Sequence, residues 1–85
     1  MKSFTYNITN EMGIHARPAG LLMKEAKKYS SSVKLHAGEK TADAKKLYAI
    51  MMLCVKKGDK VTVDVEGEDE ATAAKKIEEF FFSQL

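Results

Sequence analysis

The sequence predicts an α+β fold, an open-faced β-sandwich of order βαββαβα in which a four-stranded, mainly antiparallel sheet carries three helices, one of them short, on one face. Three observations lead there. Three stretches alternate apolar and polar residues, and a glycine turn adds a fourth strand to one of them. Two other stretches repeat apolar residues at spacings of three and four. Two of the connections between strands are too short for a parallel crossover. The 85 residues are expected to form a single domain, 1–85. A chain of that size buries only about 60–65% of its unfolded surface, so spare stability is small.

Taken in order, Phe4, Tyr6 and Ile8 alternate with Thr5 and Asn7 and predict a half-buried first strand. Thr9 to Gly13 is a polar loop. A first helix is expected over about Ala16–Tyr29, because Ala19, Leu22, Ala26 and Tyr29 recur at helical spacing, while Arg17, Gly20, Lys24 and Lys27 share the opposite side. Ser30, Ser31 and Ser32 break it. Val33, Leu35 and Ala37 then alternate as a second strand, and Gly38-Glu39 turns the chain into a short third strand over Lys40–Ala44. His36 points outward in that hairpin, with no Cys, Asp or Glu at metal-ligand spacing, and reads as a solvated strand histidine.

Lys46 to Leu53 is apolar without alternation and predicts a short helix with Ile50 and Leu53 inward, which leaves Leu47, Tyr48 and Met51 no core to fill. After a turn at Lys57-Gly58-Asp59, Val61, Val63 and Val65 interleave with Thr62 and Asp64 as the clearest strand in the chain. Gly67 ends it. Asp69 is expected to cap the last helix, with Glu70 favourable in its first turn and Ala73, Ala74, Ile77, Phe80 and Phe81 as its apolar stripe. Phe82 falls off that stripe and should be exposed.

Composition narrows the function. Fourteen basic and twelve acidic residues leave a net charge of +2, too weak a total to imply nucleic acid. An RNA-binding module would also suit basic residues on an α+β sheet. Its strands, however, would carry exposed aromatic pairs to stack bases, whereas here the basic residues track a helix. The lone Cys54 cannot form an internal disulfide and is expected to be a small buried thiol. No apolar run is long enough to span a bilayer, and the N-terminus alternates rather than forming the apolar core of a signal peptide. A cytoplasmic protein without membrane insertion is expected.

The run Gly13-Ile14-His15-Ala16-Arg17-Pro18-Ala19 carries the chemistry. Proline is tolerated in a first helical turn, where its missing N–H would be unpaired in any case, so His15 should stand at a helix N-terminus. There the unpaired amides of Ala16 and Arg17 can cradle an anion, phosphate above all, and the Arg17 guanidinium offers a fork matched to phosphate oxygens. A neutral imidazole at this position would be a nucleophile. Nucleophile, anion cradle and countercharge within three residues suggest a histidine that accepts a phosphoryl group.

At these residues the sequence resembles the HPr family, the histidine-containing phosphocarriers of the bacterial phosphoenolpyruvate-dependent sugar phosphotransferase system. The likeness continues through Lys45-Lys46-Leu47-Tyr48-Ala49-Ile50-Met51 and Gly67-Glu68-Asp69-Glu70-Ala71, over essentially the whole chain. It implies the same open-faced fold and a stoichiometric carrier rather than an enzyme. His15 would take the phosphoryl group on Nδ1 from phosphorylated enzyme I, itself charged by phosphoenolpyruvate, and pass it to the IIA domain of a sugar transporter, with Arg17 as charge partner. No metal or organic cofactor is implied, and the chain is expected to be a monomer. Positions matching Leu47, Tyr48 and Met51, beside the basic stripe of Arg17, Lys24 and Lys27 and the Gly20 that shares its face, contact both partners in the family. Apolar anchors with a basic rim suit brief association with acidic surfaces.

Two departures stand out. Many family members carry a serine at the start of the short helix that a dedicated kinase phosphorylates; here that regulatory position is Lys46, which has no hydroxyl. Met12 replaces a small polar residue common in the loop before the histidine. Both keep open an alternative, a regulatory HPr paralogue acting in a separate phosphorelay or by partner binding, although an intact His15 and Arg17 argue against a purely non-phosphorylated role.

Overall fold

The computed structural model describes all 85 residues, and its elements follow the predicted order: β1 (Lys2–Asn7), α1 (Ala16–Ala26), β2 (Ser32–Ala37), β3 (Lys40–Asp43), α2 (Leu47–Met52), β4 (Lys60–Glu66) and α3 (Glu70–Gln84). The sheet runs β1-β4-β2-β3, and every pairing is antiparallel. Period-two alternation sorts its faces. Val61, Val63 and Val65 of β4, Val33 and Leu35 of β2 and Ala42 of β3 are buried toward the helices. On the open face the register lines up Ser3, Asp64, Lys34 and Asp43 in one row and Thr5, Thr62, His36 and Thr41 in the next.

The helices close over the apolar face with one stripe each: Pro18, Ala19, Leu22 and Ala26 from α1, Ile50 from α2, and Ala73, Ile77 and Phe81 from α3. Nineteen buried apolar residues join into one cluster. Phe81 is its largest side chain and meets the rings of Phe4 and Tyr6 edge-on at 5.7 and 5.6 Å. Each such pair adds about 0.5–1.5 kcal/mol beyond area burial. As expected, Phe82 lies outside the core, 70% exposed.

Five local expectations are corrected. First, α1 ends at Ala26 rather than Tyr29. The amides of Lys28 and Tyr29 bond three residues back, to Glu25 and Ala26, so the chain tightens out of the α form; Tyr29 then donates its hydroxyl to Glu25 at 3.0 Å, and Lys45 Nζ donates to the Tyr29 carbonyl at 2.9 Å. Second, Asp69 occupies the N-cap position of α3 but does not cap it. Its carboxylate instead accepts the Ser30 and Ser31 amides and the Ser31 hydroxyl, joining two turns far apart in sequence.

Third, Cys54 is exposed. Leu53 takes the buried place at the end of α2, and Cys54 follows in the left-handed conformation, φ 53°, with its amide on the Met51 carbonyl, a helix-ending position that glycine usually fills. Fourth, His36 does point to the open face, but it is partnered rather than merely solvated. Its Nε2 lies 2.8 Å from Asp64, a contact that depends on the β2–β4 pairing invisible to local sequence, and its Nδ1 lies 3.2 Å from the Thr41 hydroxyl across the hairpin. β3 also ends one residue early, at Asp43, although Ala44 still donates its amide to Val33.

Candidate functional site

The loop that delivers His15 is pinned on both sides. Gly13 adopts φ +65°, and a Cβ there would lie 2.2 Å from the Val55 carbonyl oxygen, so only glycine fits the approach. Ile14 follows as a buried plug whose amide donates to that same carbonyl at 3.1 Å. Burying such a side chain is worth about 1.5–3 kcal/mol. Tertiary packing, not helix propensity, thus decides where the next residue stands.

That residue is His15, the N-cap of α1, in an extended conformation with φ −101° and ψ −174°. Its carbonyl accepts the Ala19 amide at 2.9 Å, whereas its side chain caps nothing. His15 is half-buried rather than fully bare, and its imidazole is untethered. The amides of Ala16 and Arg17 have no acceptor within the protein, and Pro18, buried in the first turn, has no N–H to offer. The first turn holds no acidic residue. Glu11, the nearest acid in the loop, is taken up by Lys57 at 2.7 Å. Arg17 is exposed and forms no ion pair.

Chemically the result is a shallow anion-ready surface: two free backbone donors, one free guanidinium and one free imidazole. The clefts of the molecule lie elsewhere, beside the β2–β3 hairpin and on the open sheet face, and none is lined by His15. A group seated on His15 would be reachable from solvent by another macromolecule.

Of the other predicted residues, Gly20 and Lys24 lie on α1, and Lys27 forms its C-cap rather than a helical position. Lys46 is the N-cap of α2, exposed and unpaired. Leu47, Tyr48 and Met51 are exposed as expected, Tyr48 at 77%, on the helix that packs against α1. Leu21, Met52 and Met12, the last 69% exposed, add further apolar surface that sequence reasoning missed. The exposure of Leu21 and Met52 depends on which side of each helix faces the sheet, while Met12 lies in the loop before His15. Asn10 was missed too, because only the folded chain brings its partners, Gln84 and Leu85, to it.

An untethered histidine at an open helix start, on an open-faced βαββαβα sandwich, is an arrangement suited to a small phosphocarrier. The sequence pattern described as the PTS HPr component phosphorylation site matches residues 2–83, and the chain belongs to the HPr family of the phosphotransferase system. It is 37% identical over 79 residues to the phosphocarrier protein HPr of Mycoplasma capricolum, covering 93% of this chain and 89% of that protein. Among solved structures, the histidine-containing phosphocarrier protein of Mycoplasma superposes with a TM-score of 0.94 at 34% identity, over 96% of this chain and 93% of that one. An HPr dimer from Thermoanaerobacter tengcongensis superposes with a TM-score of 0.78 at 38% identity, over 99% and 97% of the two chains.

Proposed function

We propose that this chain is a cytoplasmic, monomeric phosphocarrier that accepts a phosphoryl group on His15 from phosphorylated enzyme I and passes it to the IIA domain of a sugar transporter. The observation that carries the reading is the untethered His15 beside the unpaired amides of Ala16 and Arg17. In the accepting step the Nδ1 lone pair forms a bond to phosphorus while the donor's bond to phosphorus breaks, its electron pair leaving with the donor. The proton on Nε2 stays in place. The amides and the Arg17 guanidinium offset the negative charge of the incoming group, and the in-line arrangement is set by the docked partner rather than by a pocket.

Arg17, Gly20, Lys24 and Lys27 with Leu47, Tyr48 and Met51 form the docking face, apolar anchors rimmed by cations suited to acidic partners. Lys46 extends that basic rim and offers no hydroxyl to a serine kinase. An intact His15 and Arg17 favour the carrier over a regulatory paralogue. One protomer closes its own core, which supports a monomer.

The test mixes the protein with enzyme I and labelled phosphoenolpyruvate. The wild type should take up label that is acid-labile and alkali-stable, as a phosphoramidate is. His15→Ala should lose it completely while keeping its circular dichroism spectrum. Label retained by His15→Ala would sink the reading.

A further inference from the structure

The residue with the most connections in the loop before His15 is one that the family resemblance assigns no role. Asn10 makes four hydrogen bonds. Its amide donates to the Leu85 backbone oxygen at 2.9 Å and its side-chain Nδ2 to the Gln84 carbonyl at 3.3 Å. Its Oδ1 accepts the Met12 amide at 2.9 Å, and its carbonyl accepts the Gly13 amide at 2.9 Å. Thr9 reinforces the first contact, donating its amide and its hydroxyl to the same Leu85 oxygen at 2.8 and 3.0 Å.

Two of the four bonds face outward to the end of α3, and two face inward to the turn that places His15. Leu85 is buried at 3% exposure, and Phe81, one turn earlier, is fully buried, so the end of α3 is a rigid reference. On the far side of the turn, Ile14 is fixed to Val55. Between these anchors Glu11 and Met12 are exposed and contribute no packing. Removing the Asn10 side chain would leave the backbone bonds to Leu85 and Gly13 and the Glu11–Lys57 pair, but would take away the bond to Gln84 and the one that holds the Met12 amide inside the turn.

We propose that Asn10 is a positioning residue for phosphoryl acceptance: it fixes the loop of residues 9–13 to α3 and so sets the direction in which the His15 ring meets the donor. This rests on the carrier reading above. The bond that forms is Nδ1 to phosphorus and the one that breaks is donor to phosphorus, with the electron pair leaving on the donor, so the rate depends on alignment of three atoms. Small misalignment is costly in such a step. Docking, by contrast, depends on side chains of α1 and α2 that Asn10 does not touch.

The two effects separate in kinetics. Asn10→Ala should lower the maximal rate of transfer from enzyme I by about tenfold, as loss of alignment does, while the apparent KM for this protein stays within twofold. Asn10→Ser keeps a short acceptor for the Met12 amide and should recover a large part of that loss. Amide hydrogen exchange at Met12 should quicken in Asn10→Ala and not at Ile50. An unchanged maximal rate, or a rise in KM alone, overturns the role. Should Asn10→Ala fail to fold, Asn10→Ser is read by the same criteria, with a smaller drop expected. A wild-type chain that takes no label overturns the carrier reading and this role with it, whereas a labelled wild type beside an unaffected Asn10→Ala overturns this role alone.

Discussion

Two helix starts in this molecule are built alike but set among different charges. Each follows a glycine forced into positive φ against another segment: Gly13 against Val55 before α1, and Gly67, at φ +153°, against Ser31 before α3. Each has an N-cap residue whose side chain does not cap. Each leaves two amides without acceptors, Ala16 and Arg17 in one, Ala71 and Thr72 in the other. The surrounding charge differs. Glu68, Asp69 and Glu70 crowd the start of α3, and Glu70 turns back to accept the Gly67 amide at 3.1 Å. The start of α1 has Arg17 and no acid. Free amides alone therefore do not make an anion site. A helix start invites phosphate only where local carboxylates have not already answered its dipole.

The most drastic way to break the comparison is to give α1 the charge of α3. Arg17→Glu should slow transfer to His15 by about a hundredfold, the scale of losing one preorganised charge contact. Rapid-quench labelling measures it, and an unaltered rate would remove the guanidinium from the mechanism. The glycines come next. Gly13→Ala and Gly67→Ala should each cost about 2–3 kcal/mol in urea unfolding, the range for strained backbone. The loss should be larger at Gly13, where the Cβ would sit 2.2 Å from a carbonyl oxygen, against 2.6 Å from the Ser31 Cα at Gly67. Only the Gly13 variant should also lose phosphoryl acceptance. Equal activity in the two would mean that the loop before His15 need not be held.

The smallest effect concerns Asp69. The Ser31 hydroxyl, with the Ser30 and Ser31 amides, holds its carboxyl below the usual carboxylate range. A depressed value in the folded state means stability that is present above the unfolded carboxyl pKa, about 3.9, and lost as pH falls through the lower folded value. Asp69→Asn should therefore melt slightly earlier at pH 7 and lose less on acidification to pH 3. Thermal melts across that range test it, and parallel curves for the two proteins would show that the latch does not link to pH.

These contrasts bear on what a reader of the sequence can know. Period-two runs around Phe4, Leu35 and Val63, and helical stripes through Leu22 and Ile77, were legible because each pattern is a local response to one buried face. His15 and Arg17 were legible as well, since Gly13 and Pro18 mark the helix start from both sides. The misreadings share a cause. Cys54 in an apolar run looked buried, yet Leu53 and Val55 on either side fill the interior and turn it outward. Asp69 looked like a cap, yet Ser30 and Ser31, distant along the chain, take up its carboxylate instead. His36 looked unpartnered until β4 was laid beside β2.

By itself, then, the sequence determined the order of the elements, the inward face of each and the place of the stretch from Gly13 to Ala19 at a helix start, because all three depend on residues within a few positions of one another. The tertiary structure alone decided the strand order β1-β4-β2-β3, the partners of Asp69 and His36, and the way Asn10 moors the histidine loop to the end of α3. Those depend on hydrogen bonds between groups tens of residues apart. Such bonds acquire a definite geometry only after the core has fixed where each strand and helix lies.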